Sequence, residues 1–308
     1  MTLAETILDI SRQHLRDGGL ILAQNAEAVQ NVHGTVPVGE QGVTILPTSE
    51  TAMAGVAIGT ALSGKPMIYI LRFSSFTWLQ ASPLVNYAGI AKELWGYDIP
   101  LFVRILAMDG GGPTHSGSMV SILAHRPGLA IAAPCTPIEY QDVWGWFQEH
   151  RQPVILNEHR STYQNSGGYL DKQVTSPRAK SREMRFVVIA TSSAREMALR
   201  AAESLAWDDG IGGEVFNLLW LNPIENNSNW AAIVDSSRAI RKVVVADCAY
   251  EPCSIAEHVA YRIASETGAK VRVVGIEPRL SGVAARLENG TPSAERIAKA
   301  VKDLLSDG

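Results

Sequence analysis

One carboxylic side chain in this sequence stands where it could take part in proton transfer. Glu50 lies in PTSET (47–51), between an apolar run typical of a strand and an Ala/Gly-rich run typical of a helix. A carboxyl group in an apolar pocket at the carboxyl end of a strand can share a proton with a ring nitrogen, because burial favours its protonated form. Alternatively, Glu50 is an ordinary acid in a first helical turn, with Thr48 or Ser49 as the N-cap.

A histidine in a glycine-rich segment is the second candidate. His115 lies in DGGGPTHSGS (109–118), directly after the apolar run 100–108. Glycines allow unusual backbone dihedrals and close approach of a ligand, and loops at the carboxyl ends of parallel strands commonly bind ligands. His115 is therefore a candidate proton donor, or hydrogen-bond donor to a developing oxyanion. The alternative is a loop histidine that meets only solvent.

An aromatic pair in RFSSF (72–76) is the third feature of interest. Phe73 and Phe76 are by default core or interface residues, but the ring of Phe76 could also stack on a bound aromatic ring. The sequence contains neither a G-x-S-x-G nor an H-E-x-x-H motif, which argues against the hydrolase and metalloprotease sites that these motifs mark.

Strands and helices that could position these residues alternate along the chain. Apolar runs with little alternation predict buried parallel strands at 19–24, 43–50, 66–73, 100–108, 128–134, 153–158, 184–191, 212–221, 242–248 and 270–276. Helical patterns occur at 3–17, 50–64, 137–150, 193–209, 254–267 and 292–305. The prediction is an α/β fold of two domains with mostly parallel sheets, covering 1–165 and 184–308, joined by a polar linker at 166–183.

Composition limits the partners and the compartment. The chain has 308 residues, 46% of them hydrophobic, and a net charge of −4, which gives no reason to expect nucleic acid or an anionic membrane as a partner. No apolar stretch approaches the ~20 residues of a membrane helix, and the first ten residues do not resemble a secretory signal. The 3 cysteines are sparse and lack zinc-ligand company, so we expect a reduced, cytoplasmic protein with no metal site at Cys248 or Cys253.

Taken together, several segments resemble the β subunit of the 2-oxoacid dehydrogenase E1 components, within the transketolase-like thiamine-diphosphate superfamily. The resemblance runs from about residue 19 to 305, and its motifs occur in the family's order. The matching segments are LPTSETAMAGVAIGTALSGKPMI, GPTHSGS, RPGLAIAAPCTP, QPVILNEHRSTY and GEVFNLLWLNPIE. The resemblance implies a transketolase pyrimidine-binding domain followed by a transketolase C-terminal domain.

The resemblance also implies roles for the three candidate residues. Glu50 would pair with N1′ of the thiamine aminopyrimidine and promote the imino form that deprotonates the thiazolium. Phe76 would stack on the pyrimidine, and His115 would face the substrate end of the cofactor. The cofactor itself supplies the nucleophile and the electron sink.

By the same resemblance, this chain holds only half of the site. The family binds the diphosphate and its Mg²⁺ through a "G-D-G…N-N" motif on a partner α subunit, and this chain carries no credible copy of it. The implied assembly is an α2β2 heterotetramer that cleaves a bond beside a carbonyl and passes the acyl unit to a lipoyl-bearing E2 component or an acyl-carrier protein.

Three departures from the family pattern keep other functions open. Gly117 replaces a glutamine, Glu225 replaces an aspartate, and DCAYEPCSIA (247–256) replaces a glycine-rich acidic segment. One alternative is the carboxyl half of a split transketolase, which transfers a two-carbon ketol unit from a sugar phosphate to an acceptor or carrier protein. Another is a non-catalytic scaffold, against which the joint presence of the three candidate residues argues.

Overall fold

The computed structural model describes residues 1–172, 174–175 and 183–306. Its internal contacts divide the chain into two compact units. The first unit comprises Met1–Met108 and Ser118–Gly167, and the second comprises Asp109–Gly117 and Gly168–Gly308. The short segment that contains His115 therefore packs with the second unit, although the first unit surrounds it in the sequence.

Parallel strands form the sheet of the first unit. They are β1 (Leu20–Gln24), β2 (Val43–Leu46), β3 (Met67–Leu71), β4 (Leu101–Ala107), β5 (Ala130–Ala132) and β6 (Val154–His159). Their order across the sheet is β5-β6-β4-β3-β1-β2, and each neighbouring pair is parallel. Every residue of β3 and β4 is buried, which explains why their sequences lack the alternation of a half-exposed strand.

The helices of this unit begin at recognisable signals. They are α1 (Leu3–Arg16), α2 (Glu50–Leu62), α3 (Thr77–Pro83), α4 (Gly89–Trp95) and α5 (Pro137–His150). A capping box formed by Thr2 and Glu5 begins α1, and the Thr136 side chain caps α5, which has proline as its first residue.

The second unit repeats the alternation of strands and helices. Its strands are β7 (Val174–Thr175), β8 (Met184–Ala190), β9 (Gly212–Asn217), β10 (Trp220–Asn222), β11 (Lys242–Tyr250) and β12 (Lys270–Ile276), and its helices are α6 (Ala194–Trp207), α7 (Trp230–Ile240), α8 (Ile255–Thr267) and α9 (Ala294–Ser306). The order β12-β11-β8-β9-β7 is parallel except for β7, which runs antiparallel to β9. Small and branched residues of α6 and α9 pack on β8 and β11 to form the core.

The predicted α/β class with mostly parallel sheets is confirmed. The sequence patterns missed α3, α4 and α7. Pro83 and Gly89 interrupt the helical periodicity of the first two. The predicted linker at 166–183 includes residues 173 and 176–182, which lie outside the described residues, and the division into domains at that point stays a prediction. Within the described residues, no helix is both long enough and apolar enough to cross a bilayer.

Candidate active site

Glu50 is held by a neighbouring strand rather than by the cap of its own helix. It is the first residue of α2, and the side chain of Ser49 at the N-cap position makes no capping hydrogen bond. The Glu50 carboxylate instead accepts a 3.1 Å hydrogen bond from Nε2 of Gln24. Gln24 ends β1 and is 5% exposed, whereas Glu50 is half-buried. A buried amide thus fixes one carboxylate oxygen at the carboxyl edge of the sheet.

A second polar pair lies close to this carboxylate. The hydroxyl of Tyr69, a fully buried residue of β3, donates to Oε1 of Gln80. Burial raises the pKa of the Tyr69 phenol above its ordinary value, and the negative charge of Glu50 raises it further. Tyr69 is therefore a permanent hydrogen-bond donor near Glu50 and not a competing base.

A cavity of about 170 Å³ opens beside Gln24. Its lining combines two aromatic rings with polar groups at the carboxyl edge of the sheet, and consists of Gln24, Asn25, Thr48, Arg72, Phe73 and Phe76. The rings of Phe73 and Phe76 meet edge to face, with centroids 5.5 Å apart and planes at 81°. This contact restricts the ring of Phe76, which is half-buried, so that it can present a fixed surface to a flat ligand.

His115 is positioned by a loop that belongs to the second unit. Asp109 Oδ1 accepts a 2.9 Å hydrogen bond from the backbone N–H of Thr291, which ties the start of the segment down. A Cβ at Gly111 would lie 2.8 Å from Cβ of His115, so only glycine allows the backbone to pass this closely. The half-buried His115 thus occupies a well-defined position.

The structure places Phe76 in the lining of a cavity of the first unit, together with Gln24, which in turn hydrogen-bonds Glu50. His115 lies in a segment of the second unit. Sequence reasoning missed Gln24 and Arg72. Both had a usable signal, because each is a polar residue at or just beyond the end of an apolar strand, and carboxyl ends of parallel strands are where such folds bind ligands.

The described residues contain no group of three or more His, Cys, Asp or Glu side chains arranged to hold a metal ion. Cys135 and Cys248 are buried and Cys253 is exposed, and none of the three forms a disulfide.

Both units match models of known domain families. Residues 17–166 match the pyrimidine binding domain of transketolase, and residues 178–297 match the transketolase C-terminal domain. The chain belongs to the transketolase-like family.

Among curated members of this family, the β subunit of an acetoin:2,6-dichlorophenolindophenol oxidoreductase from Cupriavidus necator is 29% identical over 276 residues, which cover 85% of this chain and 80% of that subunit. The β subunit of 2-oxoisovalerate dehydrogenase from Bacillus subtilis is 28% identical over 216 residues, or 67% of this chain and 64% of that subunit. The predicted similarity to E1 β subunits is confirmed.

Two solved transketolase structures show the same fold. A split-gene transketolase, described as an inactive β4 tetramer, has a TM-score of 0.71 at 15% identity, and the match covers 99% of this chain and 96% of that one. A transketolase from Campylobacter jejuni also has a TM-score of 0.71, at 17% identity, covering all of this chain but 46% of that one.

The transketolase-like family uses thiamine diphosphate, and the chemistry of the cavity lining of the first unit can be compared with what the aminopyrimidine part of that cofactor needs. The lining includes the ring of Phe76 and the side chain of Gln24, which donates a hydrogen bond to the Glu50 carboxylate. A pyrimidine ring with a protonatable nitrogen needs these two groups, a surface for stacking and an acid–base partner.

The departure at Gly117 has a structural reason. Its φ is +83°, and an added Cβ would lie 2.8 Å from Cδ1 of Ile276, so a glutamine at this position would be both strained and crowded. The departure at Glu225 lies in an exposed ion pair with Arg262, at 2.9 Å.

Proposed function

We propose that this chain is the β subunit of a two-component thiamine-diphosphate enzyme of the 2-oxoacid dehydrogenase E1 type. Such an enzyme cleaves a carbon–carbon bond next to a carbonyl and transfers the acyl unit to a carrier, either a lipoyl-bearing E2 component or an acyl-carrier protein. The observation that carries the proposal is the Glu50 carboxylate, oriented by Gln24 beside the aromatic-lined cavity.

In this function Glu50 would be the acid–base partner of N1′ of the aminopyrimidine, and Phe76 would provide the surface for that ring. When bound, thiamine diphosphate supplies the nucleophilic carbon and the electron sink. Gln24 keeps one oxygen of Glu50 occupied, so that the other oxygen is available for the ring nitrogen. The buried Tyr69 phenol keeps its own proton and leaves Glu50 as the acid–base group.

His115 would act on the substrate rather than on the cofactor. A loop imidazole that is held by its backbone can donate a proton or a hydrogen bond to an oxygen on which charge develops. The close passage of Gly111 past His115 supports this role, because it limits where the imidazole can move.

A partner α subunit would bind the diphosphate and Mg²⁺ and would complete an α2β2 assembly. The first unit exposes a broad set of large apolar side chains on α2, α3, α4 and the turns that follow α3 and α4, which is typical of a surface covered by another chain. They are Val56, Trp78, Leu79, Tyr87, Leu94, Trp95 and Tyr97. The structural relative that is a β4 tetramer of a split-gene transketolase is described as inactive, which is consistent with a β chain that needs its partner.

Calorimetric titration of thiamine diphosphate and Mg²⁺ tests the proposal. The pure chain should bind the cofactor weakly or not at all, and co-expression with the α subunit should restore binding and turnover of a 2-oxo acid. Micromolar binding together with turnover by the lone chain would contradict the two-component proposal.

The fold match over nearly the full length of both chains also fits the alternative function, the carboxyl half of a split transketolase. The assembled enzyme distinguishes the two functions, since a transketolase would turn over a ketose phosphate without an added oxidant or E2 component. An assembly that binds the cofactor but turns over neither donor would indicate a scaffold.

A further inference from the structure

The sheet of the second unit has a point where the order of its strands reverses. From β8 the chain moves to β9 on one side, and it then crosses to β11 on the other side of β8. The carboxyl ends of β8 and β11 border this point, which is where doubly wound sheets commonly bind ligands. At this edge Thr191, Ser192 and Ser193 follow β8, and α6 begins directly after them.

The side chain of Ser193 does not cap the helix that it precedes. Ser193 is the N-cap residue of α6, where a serine hydroxyl usually accepts a hydrogen bond from the first turn, but this side chain makes no capping hydrogen bond. Its Oγ instead shares a 2.9 Å hydrogen bond with Oγ1 of Thr291, 98 positions away. A local preference that is given up in this way is typical of a place where the structure serves function.

Thr291 continues the connection to Asp109. The backbone N–H of Thr291 donates a 2.9 Å hydrogen bond to Oδ1 of Asp109, across 182 positions of the sequence. The neighbouring Gly290 leaves room for this carboxylate, because an added Cβ there would lie 2.5 Å from the same oxygen. The start of the segment 109–117 is therefore joined to the N-cap of α6 through two consecutive hydrogen bonds.

Both anchoring residues lie next to helices of the core of the second unit. Ser193 directly precedes α6, and Thr291 lies three residues before α9. Ala198 of α6 and Val301 of α9 belong to the same buried core. The two hydrogen bonds therefore connect Asp109 to a rigid part of the unit.

The other end of the segment is held by packing and by a hydrogen bond within the segment. Gly117 lies against Ile276, the last residue of β12, because an added Cβ would be 2.8 Å from Cδ1 of that isoleucine. Ser116, which is 3% exposed, donates from Oγ to the carbonyl of Gly112 at 2.8 Å. With both ends fixed, the backbone at His115 is held, and the loss of either anchor should shift the imidazole.

A second acid at this edge, Asp247, has a different use. It lies in β11 and is 3% exposed, and its Oδ1 accepts hydrogen bonds from Oγ1 of Thr191 and, at 2.7 Å, from the N–H of Cys248. Burial raises the pKa of Asp247. Its partners belong to its own strand and to the adjacent end of β8, so Asp247 stabilises the sheet, whereas Asp109 fixes a segment that carries a candidate reacting group.

We propose that Asp109 is a positioning residue for His115. Its carboxylate accepts the N–H of Thr291 and thereby docks the segment 109–117 on the second unit, so that the imidazole meets the substrate at a defined place. The proposal rests on the proposed function in giving His115 a role in the substrate step, and it adds a requirement that lies in the second unit. A carboxylate suits this task, because a hydrogen bond to a charged acceptor is stronger than one between neutral groups.

Kinetics of the assembled α–β enzyme test the positioning role. Asp109→Ala should lower kcat for a 2-oxo acid about 10- to 100-fold, the usual effect of displacing a reacting group by about 1 Å, and should leave the affinity for thiamine diphosphate unchanged. Asp109→Asn keeps the Oδ1 acceptor, so it should recover most of the rate. In the His115→Ala background, Asp109→Ala should have no further effect, since the group that it positions is already absent. Asp171→Ala is the matched control, because Asp171 accepts the N–H of Gly168 at 2.6 Å within its own turn, and kcat should not change.

Additive losses from Asp109→Ala and His115→Ala, or equal losses in Asp109→Ala and Asp109→Asn, would overturn the positioning role even though the enzyme is active. Ser193→Ala removes the hydroxyl that holds Thr291, and it keeps the test available if Asp109→Ala folds poorly. It should lower kcat about two- to tenfold, the usual effect of losing one neutral hydrogen bond, and this effect should also disappear in His115→Ala.

Hydrogen exchange of the full chain alone separates this inference from the proposed function. The amide of Thr291 should be protected in the wild type, and Asp109→Ala should speed its exchange about tenfold or more, whereas Asp109→Asn should do so much less and Asp171→Ala not at all. Unchanged exchange at Thr291 in Asp109→Ala would overturn the inference whatever the activity of the enzyme. If the assembly turns over no donor at all, the proposed function fails, and the exchange rates still decide whether Asp109 holds the segment.

Discussion

Two groups of charged side chains in the first unit differ in their burial and in whether each charge is paired with an opposite charge. Arg104 and Glu158, which are 0% and 1% exposed, form a two-pronged ion pair with N–O distances of 2.8 and 2.9 Å. Glu158 also accepts hydrogen bonds from the hydroxyls of Tyr140, at 3.1 Å, and Tyr163, at 2.8 Å. At the carboxyl edge, by contrast, Glu50 and Arg72 are half-buried, and their hydrogen-bond partners are neutral groups, the Gln24 amide and the Asn25 carbonyl.

The difference shows which charges serve the fold and which are available for ligands. A buried ion pair whose remaining hydrogen bonds are satisfied has no charge available to bind a ligand. Burial and the charge of Glu158 raise the pKa of both Tyr140 and Tyr163, so these hydroxyls stay hydrogen-bond donors. Removal of one partner from such a pair destabilises a protein strongly. A carboxylate or guanidinium with a single neutral partner keeps most of its capacity to bind, and its loss should affect chemistry and not stability.

The largest effect is expected at Glu50. Glu50→Gln keeps the size of the side chain but cannot exchange a proton with N1′, so deuterium exchange at cofactor C2 in the assembled enzyme should slow about 10²–10⁴-fold. Folding should be unaffected. Glu5→Gln is the matched control, since Glu5 is also an acid in a first helical turn. If C2 exchange in Glu50→Gln were as fast as in the wild type, Glu50 would be only an acid in a first helical turn, like Glu5.

His115→Ala should slow the substrate step about 10²–10⁴-fold, because a positioned acid–base group is lost. Cofactor affinity, measured by titration of the assembled enzyme, should change little. His125→Ala, at an exposed position, should change neither quantity. Unchanged kcat in His115→Ala would show that the loop histidine is not part of the reaction.

Removing one partner of the buried Arg104–Glu158 pair should lower the stability of the protein. Glu158→Ala leaves the Arg104 charge buried and unpaired, and should lower the free energy of unfolding in urea by about 3–5 kcal/mol. Glu40→Ala removes a carboxylate from an exposed pair with Arg12 and should cost about 0.2–1 kcal/mol. Equal losses in the two variants would contradict the contrast between the buried pair and the surface.

The smallest effect is expected at Gln24. Gln24→Leu keeps a side chain of similar size but removes the hydrogen bond that orients Glu50, so C2 exchange should slow about tenfold, as for the loss of one charged hydrogen bond. Cofactor affinity should stay within about a factor of two or three. If affinity fell and the exchange rate of the bound cofactor did not, Gln24 would act through the shape of the cavity and not through Glu50.

The sequence allowed most sheet strands and most helices to be predicted, since these depend on local pattern, whereas β7 lies within the predicted linker. Uninterrupted apolar runs predicted β3, β4 and β11 because both faces of these strands are covered. The family motifs predicted the domain pair and the E1 β relatives, and both are confirmed by the comparisons. The roles of Glu50, Phe76 and His115 stay predictions.

Side-chain pairing was decided by the tertiary structure alone. The hydrogen bond from Gln24 to Glu50 joins residues 26 positions apart, and the ion pair of Arg104 with Glu158 spans 54 positions. Both depend on the order and register of parallel strands, which no local pattern encodes. The same reason applies to His115: its loop chemistry is visible in the sequence, but only long-range contacts such as Asp109 to Thr291 assign its segment to the second unit.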